Sequence, residues 1–166
     1  MISTNYIGLQ EVWSGGQTGA DEAGLEAARL NGIKTNGWAP KDFRTQRGNN
    51  PNLKTIYGLK ESEAVNYAKR TELNVRCTEG TIRLASNINS SGELCTLRAI
   101  KKHRRPYFDV HLPEYDITEI INWIVSNNIS RLNIAGNSDK GKDTYHYDVV
   151  LKILTKVFAE IKNEHV

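Results

Sequence analysis

The sequence predicts an α/β fold in which a mostly parallel sheet is covered by helices on both faces. Two observations predict it: short apolar runs typical of strands alternate with segments of helical periodicity, and a cluster of glycines stands where the first strand gives way to the first helix. Strands that alternate with helices are joined by right-handed crossovers and therefore lie parallel. The length of 166 residues suits one core, so we expect a single domain over residues 1–166.

The first crossover is predicted over residues 9–38. A strand at 9–13 precedes a helix at 21–31 that ends before Gly32, and a second strand follows at 34–38. The helix carries a stripe of small residues that would let it lie close to a sheet: Ala20, Ala23, Gly24, Ala27 and Ala28. Residues 39–60 are polar and without a period, which predicts a functional or disordered loop.

The remaining elements follow the same alternation. Helical periodicity is typical of residues 117–127, where Ile117, Ile120, Ile121 and Ile124 share one face. The full set of predicted elements is a helix at 61–70, a strand at 80–86, a helix at 92–104, a strand at 106–110, a helix at 117–127, a strand at 131–135 and a helix at 143–162.

Composition excludes several classes of function. No apolar run reaches membrane-spanning length and the N-terminus lacks a signal-peptide pattern, so we expect a cytoplasmic protein without a membrane partner. The net charge is +3, and the basic run at 98–105 has no interleaved aromatic residues, which favours a solvated helix over a nucleic-acid surface. The histidines, together with Cys77 and Cys95, show no metal-ligand spacing, so no metal site is expected.

Ligands of parallel α/β sheets bind where the strands end, in the loops that lead into helices. The first such loop contains Ser14, Gly15, Gly16, Gln17, Thr18, Gly19 and Asp21. Free amides at a helix N-terminus attract anions, and glycines let a phosphate approach the backbone. The pattern is neither GxGxxG nor a P-loop. A tight turn capped by Thr18 or Asp21 is the alternative.

The other loops supply further candidates. Trp38 could cover a flat ring and Lys41 could reach a phosphate; the equal alternative for Trp38 is a place in the core. Arg70, Thr71 and Asn74 lie near a helix end, and Glu79 could accept a hydrogen bond from a ribose or a ring N–H. Further along the chain, Ser91 and Gly92 lead into a helix and are a second candidate anion site for the same physical reason, with Thr96 one turn later. The last candidates are Gly136, Asn137 and Ser138, for which an ordinary strand-to-helix loop is the alternative.

Five segments in order carry a family resemblance: SGGQTGAD (14–21), GWAPK (37–41), RTELNV (70–75), EGTI (79–82) and NIAG (133–136). The chain resembles the circularly permuted YpsA-like branch of the SLOG superfamily, whose members are also called molybdenum carrier proteins. The resemblance implies a Rossmann-like fold, a nucleotide-type ligand over the glycine loops and, by analogy, a homo-oligomer. By motif match, the resemblance implies a ligand site that adds Thr81 to candidates already named. Its residues would be Gly15, Gly16, Gln17, Thr18, Gly19, Asp21, Trp38, Arg70, Thr71, Asn74, Glu79, Thr81, Gly92, Thr96 and Gly136.

The sequence departs from that family at the third helix. Family members tend to carry a Gly-Gly-Thr turn there, and the phosphoribohydrolase branch adds a catalytic glutamate one turn later. Here Ser91 replaces a glycine, Glu93 stands in place of the threonine, and Thr96 takes the position of the catalytic glutamate. Hydrolysis needs a positioned acid or base, so the departure favours binding over catalysis.

The sequence therefore predicts a non-catalytic binder that carries or sequesters a phosphorylated, nucleotide-derived small molecule. Candidates are a cyclic ADP-ribose-type signal, a cyclic dinucleotide and the molybdenum cofactor, a molybdopterin-type ligand. No cofactor is expected to be held through a protein-ligated metal. Two alternatives remain open: a phosphoribohydrolase-like or other nucleotide hydrolase that uses Glu79 or Asp21, and a sensor whose partner is another protein.

Overall fold

The computed structural model describes residues 5–164; residues 1–4 and 165–166, which include the start of the N-terminus interpreted above, lie outside it. The strands are β1 (Glu11–Trp13), β2 (Lys34–Asn36), β3 (Trp38–Ala39), β4 (Arg44–Thr45), β5 (Gly48–Asn49), β6 (Lys60–Glu61), β7 (Gly80–Ala85), β8 (Tyr107–His111) and β9 (Arg131–Gly136). The helices are α1 (Ala20–Leu30), α2 (Asn52–Thr55), α3 (Tyr67–Arg76), α4 (Ser91–His103), α5 (Ile117–Ser126) and α6 (Tyr145–Glu164).

A five-stranded sheet organises the molecule, in the order β2-β1-β9-β7-β8, and all its pairings are parallel. In the register, Val12 lies between Thr35 of β2 and Leu132 of β9. Helix α6 packs on α1 and α5, whereas α3 packs on α4. The crossover through α1 (β1 to β2) and the crossover through α4 (β7 to β8) run in opposite directions along the sheet, and right-handed crossovers of opposite direction put their helices on opposite faces. The helices therefore form two layers, with α1, α5 and α6 on one face and α3 and α4 on the other. The predicted Rossmann-like α/β fold is confirmed.

The main core lies between the sheet and the α1, α5 and α6 layer. Phe158 and Ile153 of α6 are fully buried, as are Val12 and Ile134 of the sheet. A Cβ added at Gly24 would stand 2.8 Å from the Cβ of Ile134, so α1 lies directly on β9. This contact agrees with the interpretation of the small-residue stripe as a close-packing surface.

The segment predicted as a loop at 39–60 is structured. Strands β3 and β6 pair in parallel, β4 and β5 form an antiparallel pair, and a 3-10 turn spans Lys41–Phe43. A second core supports these short elements: Leu25 of α1 packs with Ala39, Leu53 and Leu59. The sequence prediction missed it because each element is too short to show a period.

Several element boundaries differ from the prediction, and two of these differences have a clear physical cause. The strand expected through residue 38 ends at Asn36, because Gly37 has a φ of +142° and turns the chain into a separate small sheet. The helix expected at 61–70 begins instead at Tyr67, where the side chain of Asn66 accepts a hydrogen bond from the N–H of Lys69. That N-cap fixes the start of a polar helix whose apolar pattern is too weak to locate.

Within residues 5–164, no helix is both long and apolar enough to span a lipid bilayer.

Candidate functional site

A cavity opens at the carboxyl edge of the sheet where two neighbouring strands send their chains to opposite faces. β9 and β7 are paired, but β9 leads to α6 and β7 leads to α4. Ligands of open α/β sheets bind at such a divergence. The cavity has a volume of about 500 Å³, within the range of small-molecule sites.

The lining combines predicted and unpredicted residues. The predicted candidates that line the cavity are Gly15, Gln17, Asp21, Arg70, Thr71, Asn74, Ser91, Gly92, Thr96, Gly136, Asn137 and Ser138. Ser90 and Glu93, which belong to the second predicted anion turn, also line the cavity. The lining residues that the sequence did not indicate are Gln46, Tyr67, Ser86, Asn87, Cys95, Asn133, Ile134, Ala135, Lys140 and His146. Ser14, Gly16, Thr18, Gly19, Trp38, Lys41, Glu79 and Thr81 are outside the lining.

Three backbone amides of the first loop are satisfied by side chains of the same loop. The N–H of Gly16 donates to Ser14 Oγ at 3.2 Å, and the N–H of Gln17 donates to Asp21 Oδ2 at 3.3 Å. The N–H of Thr18 donates to the side chain of Gln17 at 2.9 Å. The prediction of free amides is therefore wrong for these three residues, because neighbouring polar side chains occupy the positions that an anion would take.

Close packing accounts for the glycines of this loop. A Cβ on Gly15 would stand 2.6 Å from Arg70 Cζ, and one on Gly16 would stand 2.6 Å from Leu53 Cδ1. Gly19 has a φ of +88° and lies against the backbone of Asn137 and Asp139. These glycines seat α1 and the loop against their neighbours.

A buried ion pair forms one wall of the cavity. Arg70 of α3 donates from Nη1 to Asp21 Oδ2 at 2.9 Å, and the two side chains are only 13% and 6% exposed. Burial raises the pKa of Asp21, and the charge of Arg70 opposes that shift. The guanidinium carbon lies 5.3 Å from the ring centroid of Tyr67, and Arg70 Nε has no hydrogen-bond partner among residues 5–164. Arg70 therefore has a donor that the ion pair does not use.

The N-terminus of α4 also lines the cavity. Ser90 Oγ accepts a hydrogen bond from the N–H of Glu93 and caps the helix. In the described part of the chain, the amides of Ser91 and Gly92 have no acceptor. A Cβ on Gly92 would meet nothing within 4 Å, so the first turn faces open space. The second predicted anion position thus has the free donors that the first one lacks.

Glu93 is the site residue whose chemistry the sequence least revealed. Ser90 and Glu93 have the spacing of a capping box, in which the glutamate would bond back to the Ser90 amide. That second bond is not formed: Glu93 is 3% exposed and its Oε1 has no partner among the residues described. Burial, reinforced by the charge of Asp21, raises the pKa of Glu93 to about 7, despite Arg83 and Arg70.

A hydrogen-bonded chain of side chains links the loop between β9 and α6 to the cavity. Asp139 is fully buried and accepts from the backbone amides of His146 and Tyr147. His146 Nδ1 lies 2.9 Å from Asp139 Oδ1, and His146 Nε2 lies 2.7 Å from Ser86 Oγ. The sequence did not indicate this arrangement, because Ser86 is distant in the chain from the other two residues.

Comparison with known proteins agrees with this fold. The model of the circularly permutated YpsA SLOG family matches residues 12–158. The chain belongs to that family. This SLOG protein is also similar to the 1.45 Å crystal structure of a "putative molybdenum carrier protein" from Syntrophus aciditrophicus SB, with 34% identity, a TM-score of 0.80, and coverage of 91% of this chain and 95% of that one. No curated protein matches it significantly.

The SLOG fold places Glu79 far from the cavity. Glu79 precedes β7 at the amino edge of the sheet, where Oε1 accepts from the Ser130 amide, the Ser130 hydroxyl and the Arg131 amide. Burial alone would raise its pKa, but these hydrogen bonds and the charge of Arg131 lower it below its usual value. The sequence-based role for Glu79 as a ligand or catalytic group therefore has no geometric support.

The other outlying candidates have structural contacts. The Trp38 backbone exchanges two hydrogen bonds with the Asn74 side chain, and Lys60 Nζ lies 5.1 Å from the Trp38 ring centroid. Thr81 Oγ1 is buried and accepts from Asn133 Nδ2 at 3.2 Å, and Lys41 is exposed on the short turn. Among residues 5–164, no group of three or more His, Cys, Asp or Glu could hold a metal ion.

Proposed function

We propose that this SLOG protein binds and holds, without turning it over, a phosphorylated nucleotide-derived or pterin-derived small molecule in the cavity between α3 and α4. The observation that carries the proposal is the open N-terminus of α4, where two unpaired amides face a cavity of about 500 Å³. A helix N-terminus combines free donors with the positive end of the helix dipole and favours a phosphate.

The remaining lining suits the rest of such a ligand. Arg70 and Lys140 add positive charge on the cavity wall. Asn87, Ser138 and Gln46 provide uncharged donors and acceptors that suit sugar hydroxyls or ring nitrogens. A cavity with one anion position and several neutral polar groups favours a phosphorylated heterocycle over a simple anion.

Three ligands are the candidates. The similar Syntrophus protein is named as a molybdenum carrier, which supports the molybdenum cofactor with its phosphorylated pterin. A cyclic ADP-ribose-type signal and a cyclic dinucleotide have the same combination of phosphate and heterocycle. Holding is favoured over turnover because Thr96, at the position of the hydrolase glutamate, bonds its own helix: its hydroxyl donates to the carbonyl of Gly92 at 3.1 Å.

One observation favours hydrolysis as a second candidate. Glu93 lines the cavity with an unpaired carboxyl whose pKa is about 7, a value suited to a general acid or base near neutral pH. Asp21 is a weaker candidate because Arg70 and the loop amides already engage it. A hydrolase reading of this protein therefore rests on Glu93.

Binding is tested by filling the open turn. Cyclic ADP-ribose, cyclic di-GMP and the molybdenum cofactor are titrated by calorimetry into the wild type and into Gly92→Trp, which can fold because its Cβ meets nothing within 4 Å. We expect at least one ligand to bind the wild type and to lose at least tenfold in affinity in Gly92→Trp. The matched control is Thr118→Trp, an exposed first-turn position of α5. Equal binding in both variants contradicts the site.

Holding and hydrolysis are separated by recovering the ligand. The protein is saturated with the bound ligand, incubated, denatured by heat and removed, and the supernatant is analysed by mass spectrometry. Intact ligand supports holding, whereas a converted ligand, with conversion lost in Glu93→Gln, supports the hydrolase. Two native thiols report occupancy independently: Cys95 lines the cavity and Cys77 does not. Bound ligand should slow alkylation of Cys95 and leave Cys77 unchanged.

We further propose a cytoplasmic homo-oligomer that has neither a nucleic-acid nor a membrane partner, by analogy with SLOG relatives and from the modest net charge of +3. Sedimentation equilibrium measures the oligomeric state; a monomer at all concentrations contradicts this part of the proposal.

A further inference from the structure

We infer that Ser86 is an activated nucleophile, oriented with His146 and Asp139 as a catalytic triad, and that the cavity cleaves carboxylic esters whose carbonyl lies against Ser86. The three groups are joined in sequence by short contacts: 2.7 Å from Ser86 Oγ to His146 Nε2 and 2.9 Å from His146 Nδ1 to Asp139 Oδ1. Serine, imidazole and carboxylate in this order are the arrangement that activates a hydroxyl for attack on a carbonyl.

The buried carboxylate sets the tautomer of the histidine. Asp139 is fully buried at the start of α6, and the backbone amides of His146 and Tyr147 hold its two oxygens at 3.0 and 2.9 Å. A carboxylate only accepts, so the proton of the neutral imidazole lies on Nδ1 and points at Asp139. His146 Nε2 then carries the lone pair that accepts the Ser86 hydroxyl proton.

Ser86 is placed where a nucleophile must be. It follows the last residue of β7 at the carboxyl edge of the sheet, it is exposed, and both Ser86 and His146 line the cavity. Its hydroxyl also lies 3.3 Å from Asn137 Oδ1, but the contact with the imidazole is shorter. The free amides of Ser91 and Gly92 line the same cavity and can donate to a negatively charged oxygen there.

The step balances without an oxidant or a reductant. Ser86 Oγ attacks the ester carbonyl carbon while His146 Nε2 takes the hydroxyl proton. The tetrahedral intermediate collapses, the carbon–oxygen bond to the alcohol breaks, and Nε2 gives its proton to the departing alcohol. Water then attacks the acyl-Ser86, its proton passes through Nε2 to Ser86 Oγ, and the carboxylic acid leaves. The sum is ester plus water to acid plus alcohol.

The inference rests on the proposed function in one respect: the ligand is held in the same cavity that Ser86 lines. Phosphorylated ligands without an acyl ester remain intact, and acylated ones lose the acyl group. A structural role for the three residues is the competing explanation, since the chain also ties the β7–α4 loop to α6. Reactivity separates the two explanations, because an anchoring hydrogen bond does not make a serine react with electrophiles.

The test is covalent labelling of the full chain with a fluorophosphonate, followed by peptide mapping. We expect the label on Ser86, its loss in Ser86→Ala, and a labelling rate about 100-fold lower in His146→Gln, the usual contribution of a general base. Ser126→Ala, at an exposed serine of α5 outside the cavity, should label at Ser86 like the wild type. Thermal unfolding verifies that each variant is folded.

Hydrolysis of p-nitrophenyl acetate provides the second readout, with p-nitrophenol release expected from the wild type and Ser126→Ala and lost in Ser86→Ala. An unlabelled Ser86, or equal labelling in folded His146→Gln, overturns the inference. Neither result depends on nucleotide or cofactor binding. If no ligand binds in the titrations but Ser86 is labelled, only the proposed function is overturned. If a ligand binds but Ser86 is not labelled, only the triad is overturned.

Discussion

Glu93 shows how a residue acquires its chemistry from its surroundings. In a peptide, the glutamate of a capping box would be ionised and would bond to the helix N-terminus. Here the carboxyl is buried with Oε1 unpaired, close enough to Asp21 for their charges to repel, and its pKa rises to about 7. The same four-residue pattern thus yields a proton-exchanging group in a cavity, which local sequence does not specify.

We predict that Glu93 makes stability fall as pH rises. The folded protein retains the proton up to a pKa of about 7, whereas the unfolded chain loses it near 4.5, so the folded state is favoured at low pH and penalised as the pH passes through 7. A shift of this size corresponds to about 3 kcal/mol. Glu93→Gln should be more stable than the wild type at pH 8 and not at pH 4.5, measured by urea unfolding. Parallel pH profiles would contradict the burial of an ionisable carboxyl.

The ion pair between Arg70 and Asp21 gives a second prediction. Because both side chains are mostly buried, Arg70→Met leaves a carboxylate without its partner, and we expect a loss of about 3 kcal/mol in the free energy of unfolding. Arg29→Met is the matched control: Arg29 also pairs with a carboxylate, Glu26, but at the surface, so its removal should change stability little. Equal losses in urea unfolding would mean that burial does not distinguish the two pairs.

At the scale of elements, the N-termini of α1 and α4 were both predicted as anion positions, and the structure distinguishes them. The glycine-rich entry to α1 is closed by side chains and by the backbone after β9, whereas the entry to α4, with a single glycine, faces the cavity with free amides. The glycines of the first loop permit close approach of protein to protein, and Gly92 permits approach from the cavity.

Alanine substitution at the two helix entries tests this difference. At Gly19, a Cβ would stand 2.9 Å from the amide nitrogen of Asp139 and the backbone has a φ of +88°, so we expect a loss on the order of 3 kcal/mol in Gly19→Ala. At Gly92, a Cβ meets nothing, and Gly92→Ala should be as stable as the wild type or slightly more stable. Urea unfolding measures both, and a stable Gly19→Ala would show that the first loop is not closely packed.

At the scale of the whole molecule, two cores support the site. The larger core joins the sheet to α1, α5 and α6, and the smaller core holds the short elements of residues 38–61 against α1 through Leu25. The segment that the smaller core supports places Gln46 at the cavity wall. There the backbone N–H of Gln46 donates to Gln17 Oε1 at 2.8 Å. We propose that both belong to one domain, since α1 is shared between them.

A single domain predicts a single unfolding transition. Leu53 is fully buried in the smaller core, so Leu53→Ala should cost about 3 kcal/mol and shift the one midpoint to lower temperature. Calorimetry measures whether the transition remains single and two-state. A separate early transition in Leu53→Ala, with the main midpoint unchanged, would show that residues 38–61 fold as an independent unit.

The sequence by itself determined the parts of this protein that depend on local periodicity. The alternation of apolar runs and helical patterns is sufficient to predict a parallel sheet, the succession of the main strands and helices along the chain, and the edge of the sheet at which a cavity would lie. Motifs such as SGGQTGAD and RTELNV were sufficient for the family. Short elements such as β3 and β6 escaped prediction because they are stabilised by distant partners.

Only the tertiary structure decided which groups are free to act. Residues remote in the chain decide part of this at the first loop, where the Ala20 amide donates to the carbonyl of Asn137 and the Asp21 side chain is paired with Arg70. The contact between Ser86 and His146 joins residues 60 positions apart, and the burial of Glu93 depends on the packing of the whole cavity wall. Hydrogen bonding and desolvation are properties of the folded arrangement, so residue identities alone do not fix them.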